Sequence, residues 1–250
     1  MEKLLEINNV SLTYQTPKDE INAIKNLSFY CNKGDFMSII GPSGCGKTTV
    51  LSLIAGLISP TSGEIRLNAE KPSEQKSNIG YMLQKDHLFP WRTIEKNIYL
   101  PLEIKKIKNK QAKENALSLL KKYGLYDFKD NYPEELSGGM RQRAALIRTL
   151  VSSPQLLLLD EPFSALDYQT RLSVCDDVYK IIKSEQKTAV LVTHDISEAI
   201  AMSDIIIVLT ARPAQVKSIF KPNIEGNSPI GKRESPQFGV WFEKIWKELN

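Results

Sequence analysis

"FMSIIGPSGCGKTT", residues 36–49, decides the fold of this 250-residue chain. Its first five residues form a short, wholly apolar run, the pattern of a strand buried on both faces of a parallel sheet. The run ends in glycines, and "KTTVL" then opens a stretch that reads as helix. Strand, glycine-rich loop and helix in this order fit G-x-x-x-x-G-K-[ST], a loop that wraps phosphates. Glycines let the backbone approach an anion without Cβ clashes, and successive N–H groups point inward. The residues expected around the phosphates are Gly41, Pro42, Ser43, Gly44, Cys45, Gly46, Lys47, Thr48 and Thr49. Lys47 is placed for the β- and γ-phosphates of a nucleotide, and the Thr48 hydroxyl for Mg2+. Cys45 reads as a small filler within the loop.

Outward from this unit, similar apolar runs recur at "LLLLD" (156–160), "AVLVT" (189–193) and "IIIVL" (205–209), with helical stretches between them. That alternation predicts a parallel sheet covered by helices. The first thirty residues alternate in hydrophobicity and predict antiparallel strands. From 86 to 150 the texture changes. In "NKQAKENALSLLKKYG", Ala116, Leu119, Leu120 and Tyr123 share one helical face, and Gly124 suits the position just past a helix end. The expected organisation is one domain over 1–250: an α/β core with an antiparallel part (1–85 and 151–210), a helical subdomain (86–150) and a short extension (211–250). In that extension Phe238, Trp241, Phe242, Ile245 and Leu249 follow helical spacing and predict an amphipathic helix docked on the core.

Three further segments carry chemistry. "LLLLDEP" (156–162) delivers Asp160 to the C-terminal end of a buried strand, where open α/β sheets bind ligands. Asp160 is expected to hold the metal through water, because Mg2+ sheds its hydration shell reluctantly. Glu161 follows directly and is placed to orient or deprotonate an attacking water. "LVTHD" (191–195) brings His194 to the same sheet edge, within reach of a γ-phosphate. Gln84, in "YMLQKD", follows another strand-like segment and can reach the metal or the water. "LSGGMRQR" (136–143) looks like a second helix start, at Ser137, Gly138 and Gly139, with N–H groups open to an anion.

Composition excludes several classes. With 33 Lys+Arg against 29 Asp+Glu the net charge is +4, too mild to argue for nucleic acid. Cys31, Cys45 and Cys175 are widely spaced, lack ligand spacing and read as reduced cytosolic thiols. No stretch approaches 18 apolar residues, so the expectation is a chain that neither crosses a membrane nor is secreted.

Taken together and in order, "GPSGCGKTT", Gln84, "LSGGMRQR", "LLLLDEP", "SALD" and "LVTHD" resemble the nucleotide-binding subunit of an ABC transporter, over residues 4 to 210. The resemblance implies a P-loop NTPase (RecA-like) α/β core with an N-terminal antiparallel β subdomain and an inserted helical subdomain. It implies ATP and Mg2+ as ligands, with Tyr14 stacking on adenine and Asp167 in a loop that crosses to a second copy of the chain. The second helix start then closes on the ATP of that other copy. "HLFPWRTIEKN" is implied to face two transmembrane permease subunits at the cytoplasmic face of the cell membrane, served indirectly by an extracytoplasmic solute-binding protein. "LFPW", "TARPAQV" (210–216) and "RESPQF…IWKEL" are similar to ATPases of the nitrate/sulfonate/taurine importer group, which includes uptake systems for thiamine precursors. A stand-alone exporter ATPase shares every catalytic motif. A soluble ABC ATPase outside transport is disfavoured by the single cassette and the lack of a heptad run.

Overall fold

The computed structural model describes residues 2–15, 17 and 19–249. The outer limits of the expected domain, Met1 and Asn250, lie outside the described residues. Strands β1 (Lys3–Gln15) and β2 (Glu20–Asn32) pair antiparallel, and β4 (Ser62–Leu67) completes a three-stranded sheet in the order β2-β1-β4. Its inner face buries Leu5, Ile7, Val10 and Leu27, as the alternation of these stretches requires.

The second sheet holds the functional edge. It contains β3 (Phe36–Ile40), β5 (Ile79–Met82), β6 (Leu156–Asp160), β7 (Thr188–Val192), β8 (Ile205–Leu209) and β9 (Val216–Phe220). The strand order is β5-β6-β7-β3-β8-β9, parallel except at the last pair. Every residue of β3, β6, β7 and β8 is buried, which is why these segments read as unbroken apolar runs. Their C-terminal ends lie side by side. The 41–46 loop, Glu161 after β6 and Thr193–His194 after β7 all leave the sheet there. β7 ends at Val192, so His194 stands two residues beyond the strand.

Helix α1 (Lys47–Ile54) leaves the glycine loop and packs with the first sheet against β3, β6, β7 and β8. Helices α2 (Ile94–Ile104), α3 (Lys110–Lys122) and α4 (Gly138–Leu150) occupy the inserted stretch and share a core around Ile94, Ile98, Leu120, Leu125 and Ile147. Ala116 and Leu120 are buried on α3, Leu119 and Tyr123 are partly so, and Gly124 follows with φ 70°. Helix α5 (Tyr168–Ser184) covers the other face of the sheet with Phe163 and Leu146.

The 211–250 stretch does more than the single helix expected of it. β9 extends the main sheet, and α7 (Pro229–Glu234) and α8 (Pro236–Leu249) follow. Ile245 of α8 is buried, and Phe238, Trp241, Phe242 and Leu249 pack with α6 (Ile196–Met202), β8 and β9. The strand "VKSIF" is short and amphipathic, so its alternation is outweighed on paper by the aromatic helix behind it. Among the described residues, no helix is long and apolar enough to cross a membrane.

Candidate functional site

The glycine loop is built as an anion nest. Gly46 has φ 118°, a left-handed conformation that a side chain would strain, and it forms the N-cap of α1. No side chain caps this helix and its first turn has no acidic residue. Its N-terminal N–H groups and the positive end of its dipole are therefore left for an outside anion. Lys47 is 7% exposed, and its Nζ donates to the carbonyls of Gly41 at 2.9 Å and Pro42 at 3.1 Å. Cys45 is buried against the loop, and burial pushes its thiol up, only partly offset by Lys47. It is a filler, as the sequence suggests.

Asp160 comes off β6 opposite α1. Its Oδ1 accepts from Thr48 Oγ1 at 3.2 Å and its Oδ2 from Tyr81 Oη at 3.4 Å. Burial raises its carboxyl above the usual carboxylate range, opposed by those two hydrogen bonds. Among the described residues, no group of three His, Cys, Asp or Glu could hold a metal unaided. The Thr48 hydroxyl and the Asp160 carboxylate nevertheless form a pair of hard oxygen donors. That set suits Mg2+, which is commonly held by one or two protein oxygens together with substrate phosphates.

Glu161 adopts φ 44°, an unusual conformation for a residue other than glycine, and its N–H donates to Val192 O at 2.8 Å. The turn lifts the carboxylate out of the strand line and sets Oε2 3.2 Å from His194 Nδ1. Gln84 joins through a relay: its Nε2 donates to Ser164 Oγ at 3.4 Å, and that hydroxyl donates to Glu161 O at 3.0 Å. The loop carrying His194 is itself anchored. Thr193 Oγ1 donates to the buried Glu198 at 2.6 Å, and Asp195 caps α6 through the N–H groups of Ser197 and Glu198. Arg171 of α5 lies 3.7 Å from Asp195 Oδ2 and 4.0 Å from Glu198 Oε1.

Lys47, Thr48, Asp160, Glu161, His194 and Gln84 are thus gathered in one place. Ser137, Gly138 and Gly139 are not. Ser137 caps α4, its Oγ accepting from Met140 N at 3.3 Å, which leaves the hydroxyl proton free to donate. Gly139 sits against α5, where a Cβ would come 2.8 Å from Val174. This helix start borders a cavity of about 360 Å3 lined by Lys85, Asp86, Arg141, Gln142 and Leu166, with no residue of the 41–49 loop. Among the described residues, no hydrogen bond or ion pair joins residues 137–139 to residues 41–49. Asp167 is exposed and caps α5 through Thr170 N at 3.0 Å, a contact that holds its carboxyl below the usual range. Tyr14 is 41% exposed near the end of β1, in the hairpin that brings Ala23 O within 3.6 Å of a Cβ built on Gly46.

The segment after Gln84 is gripped by α4. Arg141 Nε meets Asp86 Oδ2 at 3.2 Å, and Arg148 donates to the carbonyls of Asp86 at 2.7 Å and His87 at 2.6 Å. Just beyond, Trp91 is 71% exposed and stacked on Phe89, with ring centroids 5.0 Å apart. These arginines are not read from sequence, because each contact spans more than fifty residues. The same holds for Arg212, whose Nη2 donates to Gly44 O at 2.9 Å.

Comparison with known proteins points to one family and one fold. A family model described as ABC transporter matches residues 24–164. An uncharacterized ABC transporter ATP-binding protein of Bacillus subtilis, YtlC, is 51% identical over 98% of this chain and 95% of its own length. The aliphatic sulfonates import ATP-binding protein SsuB of Bacillus thuringiensis subsp. konkukian is 38% identical over 88% of this chain and 86% of its own. Among solved structures, the dimeric post-hydrolysis state of the ATP-binding cassette MJ0796, bound to ADP and Pi, superposes with a TM-score of 0.73. It is 33% identical and covers 87% of this chain and 98% of its own.

Proposed function

The chain belongs to the ABC transporter ATP-binding proteins, and on that premise we propose that it is the ATP-hydrolysing subunit of an importer, working as a homodimer at the cytoplasmic face of a membrane. In this reading two transmembrane permease subunits are driven by the dimer, and an extracytoplasmic solute-binding protein delivers the solute. The likeness to SsuB, and to a taurine import ATP-binding protein 35% identical over 96% of this chain, supports a small solute of the nitrate, sulfonate, taurine or thiamine-precursor kind.

The observation that carries the reading is the division of the site. One cradle, at Gly41–Thr49, is complete with Lys47, Asp160 and Glu161 beside it. The other, at Ser137–Gly139, shares neither a hydrogen bond nor a bordering cavity with it among the described residues, and in this reading it serves a second copy. Thr48 and Asp160 would hold Mg2+, which supplies charge to the phosphates of bound ATP. Glu161 orients and deprotonates the attacking water, and His194 fixes the Glu161 carboxylate while meeting the terminal phosphate. Ser137 and the N–H groups of Gly138 and Gly139 stabilise the negative charge from the other protomer. Hydrolysis removes that contact and lets the dimer open.

A cross-link tests the division. Ser43 and Ser137 are exposed, whereas Cys31, Cys45 and Cys175 are buried and each has its thiol pKa pushed up by burial, so the native thiols will not compete. With Ser43→Cys, Ser137→Cys and Glu161→Gln combined, a short thiol cross-linker should give a covalent dimer with ATP and far less with ADP. Links within single chains only would end the two-chain site.

Contact with the membrane subunits is assigned to Phe89 and Trp91. A tryptophan this exposed, stacked on a half-buried phenylalanine, is a liability on a free surface and an asset on a docking one. Trp91→Ala should leave the ATPase rate of the isolated subunit within about twofold, since exposed positions outside the site carry little stability. Solute uptake by the whole transporter should drop severely. Unchanged uptake in assembled complexes would remove this segment from the interface.

A further inference from the structure

The turn from Thr210 to Gln215, between β8 and β9, is braced from within. Thr210 N donates to Gln215 O at 3.0 Å, and its hydroxyl donates to Pro213 O and accepts from Gln215 N, both at 3.0 Å. Ala214, wholly buried, bonds to β2 on both sides: its N–H reaches Ala23 O at 2.9 Å and its carbonyl accepts from Lys25 N at 3.0 Å. Its Cβ also lies 3.8 Å from a Cβ built on Gly46. From this fixed base the Arg212 guanidinium donates to Gly44 O at 2.9 Å.

Gly44 is the unsupported crest of the phosphate loop. It has φ 72°, is exposed, and has no atom within 4 Å of where a Cβ would stand. The N–H of the Gly44–Cys45 peptide makes only a long 3.3 Å contact with Pro42 O. A glycine crest of this kind loses much conformational freedom on binding an anion. The two other loop carbonyls held by a cation, those of Gly41 and Pro42, are held by Lys47. That ammonium is the one the phosphates themselves claim. Arg212 is not so divided.

We propose that Arg212 is a positioning residue of the nucleotide site: by tying down Gly44 O from a rigid turn, it pre-forms the phosphate loop in the conformation that binds the nucleotide. The proposal rests on the reading that residues 41–49 hold the phosphates. A charge-assisted hydrogen bond to a peptide's carbonyl fixes the plane of that peptide and polarises its N–H. The loop serves phosphates that ADP and ATP share, so both nucleotides should feel its loss alike.

The test is titration of the full chain with Mg·ADP and with a non-hydrolysable Mg·ATP analogue. Arg212→Ala should weaken both by about tenfold, the scale of one charge-assisted hydrogen bond. Arg212→Lys, which can still donate to Gly44 O, should stay within about threefold of the parent. In ATP hydrolysis the KM of Arg212→Ala should rise more than its kcat falls, while its unfolding midpoint without nucleotide moves little. If the alanine variant does not fold, Arg212→Gln replaces it and should weaken both nucleotides measurably. Parental affinity in Arg212→Ala, alongside lost binding in Lys47→Ala, overturns this inference alone. Parental binding in both variants would overturn the phosphate-loop reading itself. A loss confined to the ATP analogue would place Arg212 at the γ-phosphate and overturn the positioning role.

Discussion

Glu161→Gln should bind ATP as tightly as the parent chain and hydrolyse it roughly a thousandfold more slowly, within the span usual for loss of a general base. The amide keeps the volume and the hydrogen-bonding reach of the carboxylate but cannot take a proton from water. The backbone turn that places it, with φ 44° and the N–H bond to Val192, does not depend on the side-chain charge. Folding should therefore be intact. His194 Nδ1 at 3.2 Å retains a partner in the amide. The variant should also accumulate as an ATP-bound dimer, because opening follows hydrolysis. Steady-state phosphate release and size-exclusion chromatography with ATP read both effects. A rate near that of the parent would remove Glu161 from the chemistry.

Lys47→Ala should fail earlier, at binding. Nucleotide affinity should drop by about a hundredfold or more, since charge-assisted bonds to two phosphates are lost and each contributes about 1.5–3 kcal/mol. The substitution also leaves the Gly41 and Pro42 carbonyls without the ammonium that now meets them at 2.9 and 3.1 Å. Gly41 is buried, so its unmet carbonyl should cost about 1–3 kcal/mol of stability and lower the unfolding midpoint by several degrees. Calorimetric titration of ADP separates the two variants: unchanged in Glu161→Gln, nearly lost in Lys47→Ala. Parental ADP affinity in Lys47→Ala would end the assignment of the loop.

Legibility differed sharply between parts of the molecule. The strands that position the candidate site could be read because a parallel strand buried on both faces leaves an unbroken apolar run, and the residues proposed to act sit where such runs stop. Asp160 and Glu161 follow four leucines directly, and Lys47 lies seven residues past Ile40. The supports of the site were not legible. Ser164 between Gln84 and Glu161, Tyr81 on Asp160 and Glu198 beneath Thr193 are single polar contacts without period or motif. β9 was missed because five alternating residues speak less clearly than an aromatic helix. Arg148 and Arg212 touch carbonyls 61 or more positions away, and a carbonyl leaves no trace in sequence.

Arg148 grips Asp86 and His87 by main-chain oxygens, which every amino acid supplies. The side chains of His87 and of Phe89 to Trp91 can thus be exchanged without loosening the grip. What the segment shows to a neighbour behaves like a replaceable tool tip, and α4 like the chuck that holds any tip in the same attitude. In the docking role proposed for this segment, its outer side chains set which neighbour is met, while Arg148 keeps the backbone of Asp86 and His87 in place.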